Sequence, residues 1–136
     1  MLNPIAPPAV QGIDYTSPEG FVDVPFNYTY DNSLTAGQVL NNEIVSIFNA
    51  DFIWRGLVFT SDGLFSVQFQ DGYGYYLSTG QIFSSNMSNT PGDPWPVFPE
   101  VFYPAGGRVY LNITDLSGAP NTIQLLFIGV NRYKIS

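Results

Sequence analysis

The sequence predicts an all-β fold: an antiparallel β-sandwich, jelly-roll-like, preceded by an extended proline-rich N-terminal arm. Three observations carry this. Short β-branched and aromatic runs recur at about 8–12-residue spacing between turn clusters. No window of a dozen residues keeps a helical 3.6-residue apolar period free of Gly or Pro. The chain of 136 residues is 45% hydrophobic and only 11% charged, so it can bury one core and is not a disordered polymer.

Taken in order, residues 1–38 form the arm and residues 39–136 the sandwich domain. The arm holds Pro4, Pro7, Pro8, Pro18 and Pro25, and the first cation of the chain is Arg55. Such composition favours extended or polyproline II backbone. Within the arm, Phe21 to Tyr30 alternates in places and suits a strand added at a sheet edge, where Pro25 is tolerated. The arm either packs on its own domain or lies on a neighbouring subunit.

The domain then reads as strands at Ile44–Ile47, Phe52–Thr60 and Leu64–Gln70. Ser61-Asp62-Gly63 between the last two is a hairpin signal. In Leu64–Gln70, Phe65, Val67 and Phe69 share one face, the period of a half-buried strand. A further strand begins at Tyr75–Ser78 and a short run follows at Ile82–Phe83. Ser84 to Gly107, with Pro91, Pro94, Pro96, Pro99 and Pro104, reads as a long irregular stretch. Arg108–Ile113 alternates again, and Thr122–Val130 is apolar on both faces.

Composition removes much chemistry. There is no cysteine, hence no disulfide, thiol nucleophile or zinc–thiolate site. There is no histidine, the commonest general base and metal ligand. Eleven acids against four cations give a net charge of −7 and an isoelectric point near 4.1, which offers no basic footprint for nucleic acid or an anionic membrane. Carboxylate-pair chemistry needs two acids about 5–9.5 Å apart across a cleft. Asp51, Asp62, Asp71, Asp93 and Glu100 are the candidates, but Asp62 and Asp71 stand in Asp-Gly turns, where aspartate serves the backbone. The acids lie singly, without the clustered spacing of a calcium loop. The expectation is no enzyme, no cofactor and no metal. No apolar run approaches the ~20 residues of a membrane span, and the first residues lack the basic and apolar regions of a secretion signal. The expectation is a soluble protein made without secretion, or else exported by a route that the sequence does not show.

Two constellations remain. Tyr73, Tyr75 and Trp95 are a candidate sugar-binding platform. The second is apolar. In Phe52–Thr60, strict alternation puts Phe52, Trp54 and Val58 on one face and Ile53, Leu57 and Phe59 on the other. In Thr122–Val130, Leu126, Ile128 and Val130 oppose Ile123, Leu125 and Phe127. A strand apolar on both faces must be covered on both. With Phe21, Val24 and Phe26 of the arm, Ile53, Leu57, Phe59, Leu126, Ile128 and Val130 are therefore candidate protein-interface residues.

Phe52-Ile53-Trp54-Arg55, Phe65-x-Val67-x-Phe69-x-Asp71, Gly74 with Leu77-Ser78, Pro96-Val97-Phe98-Pro99-Glu100, Tyr103-Pro104-Ala105-Gly106-Gly107, Asn121-Thr122-Ile123 and Gly129-Val130-Asn131-Arg132-Tyr133 occur in this order. The series, over residues 44–135, resembles small virion proteins of tailed bacteriophages, minor structural or capsid accessory proteins. The resemblance implies a β-sandwich or jelly-roll subunit in a virion, assembled in the host cytoplasm, with no catalytic residues. Capsid decoration, vertex and tail positions all stay open. Its expected partners are copies of itself, three about an axis if general capsid geometry holds, and a major capsid or other virion protein. An acidic surface fits, because it avoids sticking to packaged DNA. The second expectation is a carbohydrate-binding receptor-recognition module of a tail or fibre.

Overall fold

Apolar alternation interrupted by turn residues sets the strand boundaries. A computed structural model describes residues 17–135, in which eight strands and one 3-10 turn (Ser84–Asn86) make up the regular structure. The strands are β1 (Phe21–Leu34), β2 (Val39–Ser46), β3 (Asp51–Ser61), β4 (Phe65–Phe69), β5 (Ile82–Phe83), β6 (Trp95–Tyr103), β7 (Arg108–Asp115) and β8 (Asn121–Lys134). They form two four-stranded sheets, ordered β1-β8-β3-β6 and β2-β7-β4-β5. All pairings are antiparallel, and β1 with β8, β2 with β7, β3 with β6 and β4 with β5 are each neighbours. That nested pairing arises when one long antiparallel ribbon is rolled up on itself. The fold is a β-sandwich with jelly-roll strand order.

The core lies between the sheets. Phe65, Val67 and Phe69 of β4 face it as their period-2 spacing predicts, and so do Ile123, Leu125 and Phe127 of β8. Trp54 sits among them, its ring centroid 5.0 Å from Phe69 and 5.1 Å from Phe127. Its indole N–H donates to the Gly56 carbonyl at 2.7 Å. Each fully buried side chain of this size contributes roughly 1.5–3 kcal/mol, and offset or edge-on ring contacts add about 0.5–1.5 kcal/mol apiece.

The strand expected at Tyr75–Ser78 is instead a loop with one isolated bridge, Gln70 to Tyr76, and four further expectations need correction. The boundary at residue 38 fails, because β1 pairs with β8 residue by residue from Phe21 to Leu34 and buries Tyr28, Tyr30 and Leu34 in the core. Most of the expected arm is thus an edge strand of the domain, with Pro25 at the edge where a missing donor is tolerated. Residues 1–16 lie outside the described residues. Next, Ser61-Asp62-Gly63 makes an arch between sheets, not a hairpin. Both edges of β3 are already taken by β6 and β8, so β4 crosses to pair with β7. Phe59 and Phe65 therefore meet across the core, ring centroids 5.0 Å apart. The side chain of Asn121 holds this arch, its oxygen accepting from the N–H groups of Asp62 and Gly63.

The third correction concerns β3. Its register against β8 shifts between Trp54, opposite Gly129, and Gly56, opposite Ile128, so Arg55 is an extra residue in a bulge. A bulge resets the alternation. Leu57 and Phe59 consequently join Phe52 and Trp54 in the core, with relative exposures of 0% and 8%. Finally, the proline-rich stretch Ser84–Gly107 is not all irregular, since it contains β6, an edge strand that pairs only with β3.

Candidate functional site: an aromatic groove beside strand β6

The site begins with a second irregularity in β6. Pro96 faces Gly56 and Val101 faces Trp54, so residues 97–100 have no partners on β3 and turn out of the ladder. The Phe98–Pro99 peptide bond within this bulge is cis. Phe98 is left 94% exposed.

Against this bulge stands the loop after β4. Asp71 organises it, its Oδ1 accepting from the backbone N–H groups of Tyr73 and Tyr75, each at 2.9 Å. Its own N–H donates to the Tyr75 carbonyl at 2.8 Å. Gly74 supplies φ +88° for the reversal, a region open to glycine at little cost. Two contacts dock the loop on the end of β6. The Tyr103 hydroxyl donates to the Gln70 carbonyl at 2.6 Å. A Cβ on Gly72 would stand 3.0 Å from the Phe102 carbonyl oxygen and from Pro104 Cδ, a tight fit that glycine avoids. Burial, reinforced by the charge of Asp71, pushes the Tyr103 phenol well above its usual range, which keeps it a donor at every physiological pH.

Loop and bulge enclose an open groove of about 490 Å³. Tyr73, Leu77, Trp95, Phe98 and Phe102 supply its apolar surface, with Asp71 and Glu100 as its charged groups. Glu100 Oε2 accepts from Arg55 Nε at 2.7 Å. From Arg55 an ionic row continues across the outer face of the first sheet. Arg55 lies 3.7 Å from Asp23, and Asp23 holds Arg132 through two bonds of 2.9 and 3.0 Å. The Asp23 side chain is wholly buried, so it needs these cations to offset its desolvation.

The groove brings together Tyr73 and Trp95 of the expected sugar platform, while Tyr75 is exposed but lies outside it. Asp71 and Glu100 also meet here, but each is engaged with backbone N–H groups or an arginine. Among the described residues no group of three or more Asp, Glu, His or Cys side chains could hold a metal ion. No described helix is long and apolar enough to cross a membrane.

The expected interface residues divide. Leu57 and Phe59 are core, as above. Ile53, Ile128 and Val130 do turn to the outer face of the first sheet, opposite the core, yet they are 1%, 5% and 0% exposed in the single chain. Their burial needs no second subunit. Leu126 is half-buried against Val58 and Ile128. Phe21 is half-buried beneath the Arg132 guanidinium, which lies 5.8 Å from its ring centroid. Of the set only Val24 and Phe26 are exposed, at 45% and 42%. Phe98 and Phe102 are site residues that the sequence reading does not single out, and Glu100 enters it only as a candidate carboxylate. The available signal was a Phe between prolines in Pro96-Val97-Phe98-Pro99-Glu100, a position where no core strand would place it.

The fold and groove define a class: a jelly-roll sandwich with an aromatic edge site and no assembled catalytic constellation among its described residues. No protein-family model matches the chain, and no curated protein shows detectable similarity to it.

Proposed function

We propose that this chain is a non-enzymatic structural subunit of a tailed-phage virion, a capsid decoration or cement protein that attaches through the β6 groove. The exposure of Phe98 carries the reading. A phenylalanine left almost wholly in solvent, beside Tyr73 at 73% and Phe102 at 37%, forms the kind of apolar patch that marks a protein interface. Jelly rolls also build capsid shells, although fold alone is analogy. The ordered motif series adds the resemblance to phage accessory proteins. Partners in this reading are the shell protein and further copies of the chain.

The test is reconstitution on particles that lack the protein. The double variant Phe98→Ser, Tyr73→Ser removes two exposed rings and no core contact, so it folds. Its occupancy on particles should drop at least tenfold at a concentration where the unmodified chain saturates. Full occupancy by the variant overturns the reading.

One observation favours a second reading, a carbohydrate-binding module of a tail or fibre. Tyr73 and Trp95 share one groove, and Tyr73 and Tyr75 stand in solvent, the arrangement a sugar-stacking surface requires. Saturable oligosaccharide binding that the same variant abolishes, without loss of particle attachment, would establish it.

A further inference from the structure

From the chemistry of the groove we infer that its occupant is an extended, proline-rich segment of a partner virion protein carrying a lysine or arginine beside its prolines. The inference rests on the attachment reading above and names the partner chemistry of the same site.

Shape and lining come first. Polyproline II backbone presents flat pyrrolidine rings at three residues per turn and makes no internal hydrogen bonds. It is recognised by aromatic-lined grooves that insert those rings between side chains, with a few donors for the free carbonyls. Here Trp95, Tyr73 and Phe98 supply aromatic rings, and Leu77 and Phe102 add further apolar lining. Trp54 and Trp95 make an instructive contrast. The Trp54 indole N–H is spent on Gly56 inside the core. Trp95 packs its ring partly against the core, while no hydrogen bond among the described residues uses its N–H. An indole donor with no partner among the described residues suits a carbonyl of such a ligand.

Charge then selects among occupants. The charged side chains lining the groove are two carboxylates, Asp71 and Glu100, on a chain of net charge −7. Glu100 keeps nearly half its side chain exposed despite its bond to Arg55. A cation on the incoming segment complements both. The proline-rich stretch of this chain, Pro4 to Pro8, has no lysine or arginine near it, since none precedes Arg55. It is therefore the poorer ligand. A sugar is poorer too, because its many hydroxyls need several polar partners, whereas apart from these two carboxylates the lining is mainly apolar.

The experiment uses the full chain and synthetic probes, read by tryptophan fluorescence. Both tryptophans line the groove, Trp54 buried and Trp95 partly exposed, so Trp95 is the ring that a ligand can touch. The first probe is a dodecapeptide with a Pro-x-x-Pro core and one flanking arginine. The others replace that arginine by glutamate, reproduce residues 1–16, or are soluble gluco- and chito-oligosaccharides. The arginine peptide should bind saturably, and Phe98→Ser and Tyr73→Ser should each weaken it at least fivefold. Arginine to glutamate in the peptide should weaken binding at least threefold, and Glu100→Gln should shrink that difference. Absence of binding at millimolar peptide overturns the inference, as does indifference to both ring variants. Equal or tighter binding of the residue 1–16 peptide would make the chain's own segment the occupant, and a response to oligosaccharide alone would make it a sugar. Particle occupancy measured on the same variants separates the two claims. Peptide binding with undiminished occupancy of Phe98→Ser, Tyr73→Ser sinks attachment through the groove. Lost occupancy without peptide binding sinks only the proline-rich occupant.

Discussion

Single residues hold the jelly roll together where strands crowd or change sheet. Gly129 lies opposite Trp54 at the β3 bulge, and a Cβ there would run into the Ile53 carbonyl and stand 2.9 Å from the Phe52 ring. The obstacle is backbone of a central strand, which cannot rotate away. Gly129→Ala is expected to cost about 2–3 kcal/mol, as overpacking of a fixed core does, seen as a lower urea midpoint at unchanged slope. A midpoint within error of the unmodified chain would show that the bulge can yield. Asp115 is a different kind of anchor. Its carboxylate accepts from the Ser117 hydroxyl at 2.6 Å and the Gly37 N–H at 2.8 Å, and also from Gly118 and Asn121. These bonds, that from Ser117 first, favour the charged form and hold its pKa below the usual carboxylate range. The sign follows from linkage: a depressed pKa in the folded state stabilises above the unfolded value of about 3.9 and is lost as pH falls below it. The melting temperature should therefore fall from about pH 4 downward, and Asp115→Asn should flatten that decline while lowering stability at neutral pH. An unchanged profile in the variant would assign acid sensitivity elsewhere. At this scale Tyr73 and Trp95 were legible as exposed-site candidates. Phe98 was not, and Glu100 was legible only as a lone carboxylate, because only the docking of the 70–76 loop onto β6 makes them part of one groove.

At the level of elements, β1 is the instructive case. Its proline, its acids and its lack of cations look like an arm, and composition says nothing of the 14-residue pairing with β8. Removing residues 1–30 would strip Tyr28 and Tyr30 from the core and Asp23 from between Arg55 and Arg132. Two arginines that are largely buried would lose their shared counter-ion, a severe change for any sandwich. The truncated chain should show no cooperative unfolding transition, whereas a chain starting at Ser17 keeps every described strand. A cooperative melt of the shorter chain would show β1 to be dispensable. Where alternation was unbroken, as in Phe65-Val67-Phe69, the sequence pattern specified the strand and its buried face. It misled wherever a non-local event intervened. A bulge at Arg55 moved Leu57 and Phe59 to the core. An Asp-Gly turn, compatible with a hairpin or an arch, became an arch because the neighbours of β3 were already present. The prolines around β6 hid a strand that, at a sheet edge, can afford them.

For the molecule as a whole, the proposed docking would divide the work of association between the acidic charge and the apolar groove. Long-range attraction between a chain of net charge −7 and a basic segment acts before contact and is screened over about 8–10 Å at ordinary ionic strength. Apolar contacts in the groove act after it and are nearly indifferent to such screening. Electrostatic complementarity thus belongs mainly to the association rate. For the arginine-bearing proline peptide, the association rate constant should fall about three- to tenfold from roughly 20 to 500 mM salt, within the range that steering supplies. The dissociation rate constant should change less than about twofold over the same interval. Stopped-flow fluorescence of Trp95 measures both. An association rate flat in salt would mean that Asp71, Glu100 and the net charge do not guide the segment. Affinity rising with salt would mean that the contact is apolar alone, and the basic residue would then have no place in the ligand.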